Sequence, residues 1–583
     1  MISNRVERSL EIASKIGPDA AIGAYQYFFV RMPIRERRLC LGEIRDTWRT
    51  WRADTAAGRL TDTLHFYLHV PFCSHRCSYC VYYSLASPEP AMVRAWFERL
   101  GRELPFWSEM VEAGPLSTMY IGGGTPTVLE VEDLRRLLGM VRSSFRVRPG
   151  GERSFECNPL TATEDKAAIF REAGFNRVSF GIQNMHPDVL RGVNRGYQTV
   201  ARTDETFRIM HDAGFHINID LIQGLPGEPP DSIKESLRWV FERRPAEITL
   251  HRLLPTTPSG ILERSIRKPL KEVSLDIGDL AASSGYSVMI FDTVIKLISL
   301  SSSTHRDLLA DEAAALKQSS GPDARLCFYS DVPDEPSSVL AIGPDSRSQV
   351  LGGLRYRMDR YDPGLPFDGQ ASIAVGHEIS RRDAQSLFVV GGLCRKRAVD
   401  LKAFQAAFGE PLEAVFGDSM RDALDAGLLV REGDLLCHAS QDSVTRFGTE
   451  MLFVSEQAIS AAEEFKQLYV DTNPGAVGLV VSAGPASFTV KVFRGLDDAR
   501  AACRAGDYAF VVPSSPDEGA PDVRALGGLF ARFFERVVLV DSPDSLSALV
   551  SALLTRGNGV RLVASADSVL NGAVMKVERL EQP

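Results

Sequence analysis

The chain has 583 residues, of which 44% are hydrophobic and 24% charged, with a mean hydropathy of −0.08. That balance belongs to an ordinary globular protein rather than a disordered one, and the length suggests about three or four domains. A formal net charge of −9 and an isoelectric point near 5.7 argue against a general nucleic-acid binder, which carries a basic face.

Taken in chain order, the N-terminal "MISNRVERSLEIASKIG" is amphipathic and charged, and residues 1–60 are expected to be a helical segment. It lacks the apolar stretch and small-residue cleavage site of a secretory signal. No run of about 18 apolar residues occurs, so no membrane span is expected. Nine cysteines, an odd number scattered along the chain, do not form a disulfide framework. Cys40, Cys327, Cys394, Cys437 and Cys503 read as reduced thiols packed as small hydrophobes, and the expected compartment is the cytoplasm.

From residue 64 a short β-rich run, a turn and a helical-period segment recur. The expected strands are "LHFYLHV" (64–70), "STMYIGG" (117–123), "RSFECNP" (153–159), "RVSFGIQ" (177–183), "FHINIDLI" (215–222) and "EITLHRLL" (247–254). Such alternation predicts an α/β fold, a partial (βα)6 barrel over 61–260 with parallel strands and helices outside. Six units are fewer than the eight of a closed barrel. Residues 261–385, rich in Ser, Pro, Gly and Asp, read as an irregular connecting region completing the core. Residues 386–455 read as a winged-helix-like module, packed on the barrel rather than on DNA, and 456–583 as an additional α/β domain.

Chemistry concentrates at the expected strand ends. "FCSHRCSYC" sets Cys73, Cys77 and Cys80 in a C-x3-C-x2-C loop straight after the first strand. Three thiolates on one short loop can hold an iron–sulfur cluster and leave a coordination position open. A Cys3His zinc knot with His69 or His75 is the structural alternative. "YIGGGTPTVL" places Gly122, Gly123 and Gly124 after the second strand, where bare backbone N–H groups can meet an anionic or zwitterionic ligand. Glu156 and Gln183 end the third and fourth strands and Asp220 lies in the fifth, which suggests a convergent polar pocket. Arg195, in "GVNRGYQT", adds a cation able to grip a carboxylate.

Together, the cysteine loop, the GGGTP turn, "FECNP", "RVSFGIQNMHPDVLRGVNRGYQT" and "DLIQGLPGE" resemble the radical S-adenosylmethionine superfamily. Within it they are similar to the branch of oxygen-independent coproporphyrinogen III oxidase and the related haem chaperone. The resemblance implies that Cys73, Cys77 and Cys80 bind three irons of a [4Fe–4S] cluster and that S-adenosylmethionine chelates the fourth. It implies that Gly122 to Gly124, with Thr125 in the same turn, hold the cofactor's methionine end, Arg195 its carboxylate and Asp220 its ribose. Glu156 and Gln183 would complete the pocket, with Tyr67 beside the cluster. An electron from an external donor such as flavodoxin or ferredoxin would cleave the sulfonium to a 5′-deoxyadenosyl radical, which takes a hydrogen from a small-molecule substrate.

The chain departs from that branch at particular places. The oxidases carry a further cysteine where this chain has Tyr82, and the chaperones carry Asp-Phe where it has Val81 and Tyr82. A Gly-Ala-His-Ser stretch of the relatives stands here as "GPDSRS", without histidine. These departures lead to the expectation of C-methylation or cyclopropanation of a biosynthetic intermediate, with two S-adenosylmethionine molecules bound. The alternatives are a porphyrin- or haem-modifying enzyme and a haem-trafficking protein.

Overall fold

A computed structural model of the chain describes residues 4–16, 37–58, 62–80, 82–111, 116–149, 151–253, 270–291, 294–300, 337–359, 362–367, 374–396, 398–440, 442–455 and 459, and the strand segments 477–483, 487–493, 508–512, 537–539, 560–561 and 575–579. All six expected strands form: β1 Leu64–Val70, β2 Thr118–Gly123, β3 Arg153–Cys157, β4 Arg177–Gln183, β5 His216–Gln223 and β6 Glu247–Arg252. They pair in parallel in that order. A seventh parallel strand, β7 Ser338–Ile342, lies on the other side of β1. Antiparallel strands extend both ends of this sheet, which among the described residues runs open-ended and is not closed into a barrel.

The period of two along each strand divides the sheet into an apolar face and a polar face. Phe66, Leu68 and Val70 of β1, Met119 and Ile121 of β2, Phe155 of β3, Val178, Phe180 and Ile182 of β4, and Ile217, Ile219 and Leu221 of β5 join one hydrophobic core. Helices Pro90–Val111, Val131–Ser144, Glu164–Glu172 and Ser232–Arg243 supply the rest of that core. Aromatic packing is dense there, with the Phe155 and Phe170 rings stacked 3.7 Å apart. The opposite face carries His65, Tyr67 and His69 of β1, Tyr120 of β2, Ser154 and Glu156 of β3, Ser179 of β4, Asn218 and Asp220 of β5, and Thr249 and His251 of β6. One-residue slippage would exchange the two faces, so the register of every pair is fixed by this pattern.

At the amino ends of the strands the polar face is sealed by buried charge. Arg177 donates to Glu247 at 2.9 Å, His216 meets the same carboxylate at 2.9 Å, and Glu152 lies 4.0 Å from Arg177. Chemistry that needs access is therefore confined to the carboxyl ends.

Residues 261–385 differ from the irregular reading. Besides β7 they contain helix Leu270–Ser283 and strands Tyr286–Phe291, Val294–Ser299, Arg347–Gln349, Leu354–Met358 and Ala374–Glu378. Short strands separated by Ser, Gly and Asp turns dilute the composition, which hid them. Farther on, helices Arg381–Gly391, Leu401–Phe408, Leu412–Asp425 and Ser443–Met451 accompany a three-stranded antiparallel sheet of Ala398–Asp400, Leu435–His438 and Leu429–Glu432. The N-terminal helix Asn4–Ile16 reaches this region, where Arg5 donates to the Leu452 carbonyl at 3.0 Å.

The seven described cysteines are all free thiols; Cys327 and Cys503 lie outside the described residues. Cys40 is exposed rather than packed, because it caps helix Leu41–Ala56 and its own backbone N–H is taken by Glu43 at 2.9 Å. No helix among the described residues is long and apolar enough to cross a membrane. The second compact unit, which takes in residues 456–583, contains a six-stranded sheet in the order 537–539, 508–512, 477–483, 487–493, 575–579, 560–561.

Candidate functional site

The three loop cysteines sit at the carboxyl end of β1. Phe72–Cys73 pairs in parallel with Leu85–Ala86, so the intervening loop is pinched at its base. Its tip is tied by Cys80 N–H to the Cys77 carbonyl at 3.1 Å and by Ser78 N–H to the Val193 carbonyl at 3.2 Å. Burial pushes the Cys80 thiol up to about 12, and the neighbouring Cys77 adds to the effect. Cys73 is raised for the same two reasons, against a 3.7 Å contact with Thr125 Oγ1. A bound cation would favour the thiolate forms that burial disfavours here.

Of the two histidines of the zinc alternative, His69 has both ring nitrogens committed. His69 Nε2 bonds the Tyr83 carbonyl at 2.8 Å and Nδ1 meets the Tyr67 hydroxyl at 3.3 Å, while His75 stacks on Tyr197. Among the described residues no three His, Cys, Asp or Glu side chains converge on the position of a single ion.

The glycine turn is stitched to the strand that leads into the loop. Gly124 N–H bonds the Val70 carbonyl at 2.8 Å and Thr125 N–H the Phe72 carbonyl at 2.7 Å. A Cβ on Gly124 would lie 2.3 Å from the Phe72 oxygen, and one on Gly123, where φ is +105°, 2.5 Å from His69 Nδ1. Gly124→Ala is therefore expected to lower stability in urea by about 2–3 kcal/mol and to displace Cys73. Gly139, exposed in helix Val131–Ser144 with open space around it, is the control: Gly139→Ala should stabilise by up to about 1 kcal/mol. Equal effects of the two substitutions would contradict the packing argument.

Glu156, Gln183 and Asp220 come together on the polar face. Glu156 accepts from Tyr120 OH at 3.0 Å and Gly123 N–H at 3.1 Å. Burial, then the charge of Asp220, raises its carboxyl to about 7. Asp220 accepts from Ser179 at 2.5 Å and Asn218 at 2.7 Å, and His251 stands 3.6 Å away. Gln183 occupies a left-handed backbone conformation, φ +63°, at a register shift in β4, and its buried Oε1 has no hydrogen-bond partner among the described residues. Tyr67 is buried, with its ring 6.0 Å from Tyr120.

Arg195 is only 4% exposed, and all five of its donors are engaged. Nε and Nη2 reach Gln198 Oε1 at 3.1 and 2.9 Å, Nη2 also reaches the Gly181 carbonyl at 2.6 Å, and Nη1 reaches Tyr79 OH at 3.0 Å and Cys77 Sγ at 3.7 Å. Burial works against its charge, but Tyr79 and Cys77 more than offset that and hold the guanidinium well above its ordinary range. A cofactor carboxylate would have to replace one of these partners.

Sequence reasoning missed His251, Ser179, Asn218 and Thr249. For Ser179 and Asn218 the signal was strand parity, an even number of residues from Gln183 and Asp220; the sixth strand carried no such marker for Thr249 and His251. The residues present fit a thiolate-held cluster beside a polar ligand. The three-thiol donor set suits iron–sulfur ligation, Gln183 leaves an unpaired acceptor, and Glu156 would ionise against a nearby cation.

Residues 67–240 match the family model described as the Radical SAM superfamily, and this stretch is a radical SAM domain. Over 213 residues the chain is 37% identical to heme chaperone HemW of Mycobacterium tuberculosis, covering 36% of this chain and 55% of that protein. Over 206 residues it is 31% identical to oxygen-independent coproporphyrinogen III oxidase of Paracoccus denitrificans, covering 35% and 45%. The matched stretch thus spans about half the length of these curated relatives. Over 70% of its length the chain is similar in fold to the radical SAM enzyme coproporphyrinogen III oxidase (HemN) of Escherichia coli, 92% of which is covered, at a TM-score of 0.56 and 19% identity.

Proposed function

We propose that the chain binds a [4Fe–4S] cluster through Cys73, Cys77 and Cys80 and S-adenosylmethionine over Glu156, Gln183 and Asp220, and that it acts on a tetrapyrrole. The observation that carries the reading is the three-thiol loop held over a polar sheet face whose Gln183 acceptor is buried and unpaired. When bound, the cluster and S-adenosylmethionine supply a radical that removes a hydrogen atom from substrate. The protein's own part is to hold the thiols in place, to keep an anionic carboxyl pair, Glu156 and Asp220, beside a cationic ligand, and to shut water out at the amino ends of the strands. Thr125 and the glycine turn fix the loop base, and Tyr67 packs behind it. A flavodoxin- or ferredoxin-like donor would supply the electron.

The relatives named above support the tetrapyrrole reading over methyl transfer or cyclopropanation. Binding and trafficking of haem is the second reading, favoured by the 37% identity to a protein named a heme chaperone. The test is an anaerobic reaction with S-adenosylmethionine, dithionite and coproporphyrinogen III, followed by mass spectrometry. Decarboxylated porphyrinogen with stoichiometric 5′-deoxyadenosine supports the oxidase-like reading. No turnover in this reaction, with tight binding in a separate haem titration of the same protein, supports the chaperone. S-adenosylhomocysteine beside 5′-deoxyadenosine would overturn both in favour of methyl transfer.

A further inference from the structure

The strand-end pocket and the cysteine loop are joined by a buried polar chain that the chemistry above does not use. It starts at Cys77 Sγ and Tyr79 OH, both contacted by Arg195 Nη1. Arg195 is held in turn by Gln198, whose Oε1 accepts from both Nε and Nη2. The Gln198 amide nitrogen then donates to the carbonyls of Ile182 at 2.8 Å and Asn184 at 3.0 Å, the residues on either side of Gln183. Asn184 continues the chain by donating to Glu228 at 2.8 Å, and Glu228 accepts the Gly224 N–H in the loop after β5. Arg195, Gln198, Asn184 and Glu228 are each no more than 6% exposed.

A surface network would be worth little, but this one is buried and hydrogen-bonded at each link, so its members are strongly coupled. Gln198 stands at its centre. One end of its amide aims the guanidinium at a cluster-ligand sulfur, and the other end clamps the left-handed turn that orients Gln183. N–H donors to the sulfurs and nearby positive charge help set the reduction potential of an iron–sulfur cluster.

We infer that Gln198 is a positioning residue that sets two properties at once: the reduction potential of the cluster, by fixing Arg195 against Cys77, and the affinity of the pocket, by fixing Gln183. This rests on the cluster assignment made above. The structure supplies the reason for both effects, since replacing Gln198 by Ala removes both acceptor bonds from Arg195 and both donor bonds from the flanks of Gln183.

The test uses the full chain, anaerobically reconstituted, with iron counted and the midpoint potential read by electron paramagnetic resonance during a redox titration without S-adenosylmethionine. Gln198→Ala is expected to load the same iron as wild type, to titrate at a more negative potential, and to bind S-adenosylmethionine more weakly. An iron-replete Gln198→Ala with wild-type potential and wild-type affinity would overturn the inference. Should that variant fail to fold or load, Arg195→Lys decides: it keeps the charge but loses the fork, and an unchanged potential there overturns the role equally. Wild-type protein that takes up no cluster would instead overturn the underlying assignment, and this inference with it.

Discussion

Cys73→Ala, Cys77→Ala and Cys80→Ala are each expected to reduce bound iron from about four atoms per chain to a small fraction of one after anaerobic reconstitution. The loop has no fourth thiol, and its own histidine, His75, is stacked on Tyr197. Tyr82 stands exposed where a fourth thiol of the oxidases would fall, and both nitrogens of His69 are committed to Tyr83 and Tyr67. Cys157 cannot substitute: it is 4% exposed on the core face of β3, and burial pushes its thiol far above the ordinary range. With two thiolates a cluster loses an anchor as well as a charge, and it is released or degraded rather than loosened. Iron and sulfide assays with the visible charge-transfer absorbance are the measurements. One variant that retained the full complement would remove that cysteine from the ligand set.

Glu156→Gln is expected to raise the stability of the metal-free protein by about 2 kcal/mol at pH 8 and to change it little near pH 4.5. The carboxyl ionises near 4.5 in an unfolded chain and near 7 in the folded one. Its contribution is complete below about pH 4.5 and is lost as the pH rises through 7, because over that range the folded state binds more protons than the unfolded state. At about 1.4 kcal/mol for each tenfold change in proton affinity the full effect is about 3.5 kcal/mol, and partial solvent access to Glu156 reduces it. The groups that face it are Tyr120 and Asp220, with His251 behind Asp220. Asp62 and Glu228 are also raised, to about 6 and about 7, but they are common to both proteins and cancel in the comparison. Urea midpoints at pH 5 and pH 8 decide it: the same difference at both would show that the carboxyl does not titrate in this range.

Much of the core could be read directly because strand period, glycine turns and helical period agreed with one another between residues 64 and 252. Glu156, Gln183 and Asp220 were found as polar residues at apolar strand ends, and they do share one face. Other parts depended on distance along the chain. The pairing of β7 with β1 joins Ile342 to Leu68, and no local pattern announces such a neighbour. Gln198, Asn184 and Glu228 look in sequence like solvated polar residues, since only the folded chain shows that they are buried against one another. Arg195 was legible as a cation near the site, whereas its four internal partners, Gln198, Gly181, Tyr79 and Cys77, were not.

The place of β1 between β2 and β7 also bears on how the protein is made. The strand that leads into the thiol loop gains one neighbour at residue 118 but the other only at residue 338. At ribosomal rates of about 5–20 residues per second, that second neighbour emerges on the order of tens of seconds later. During this interval β1 is an open edge on the nascent chain, with unpaired N–H and C=O groups available to wrong partners. On the proposed reading, the loop that would hold the cluster gains its second strand neighbour only once residue 342 has left the ribosome, and iron delivered earlier would meet an unfinished anchor.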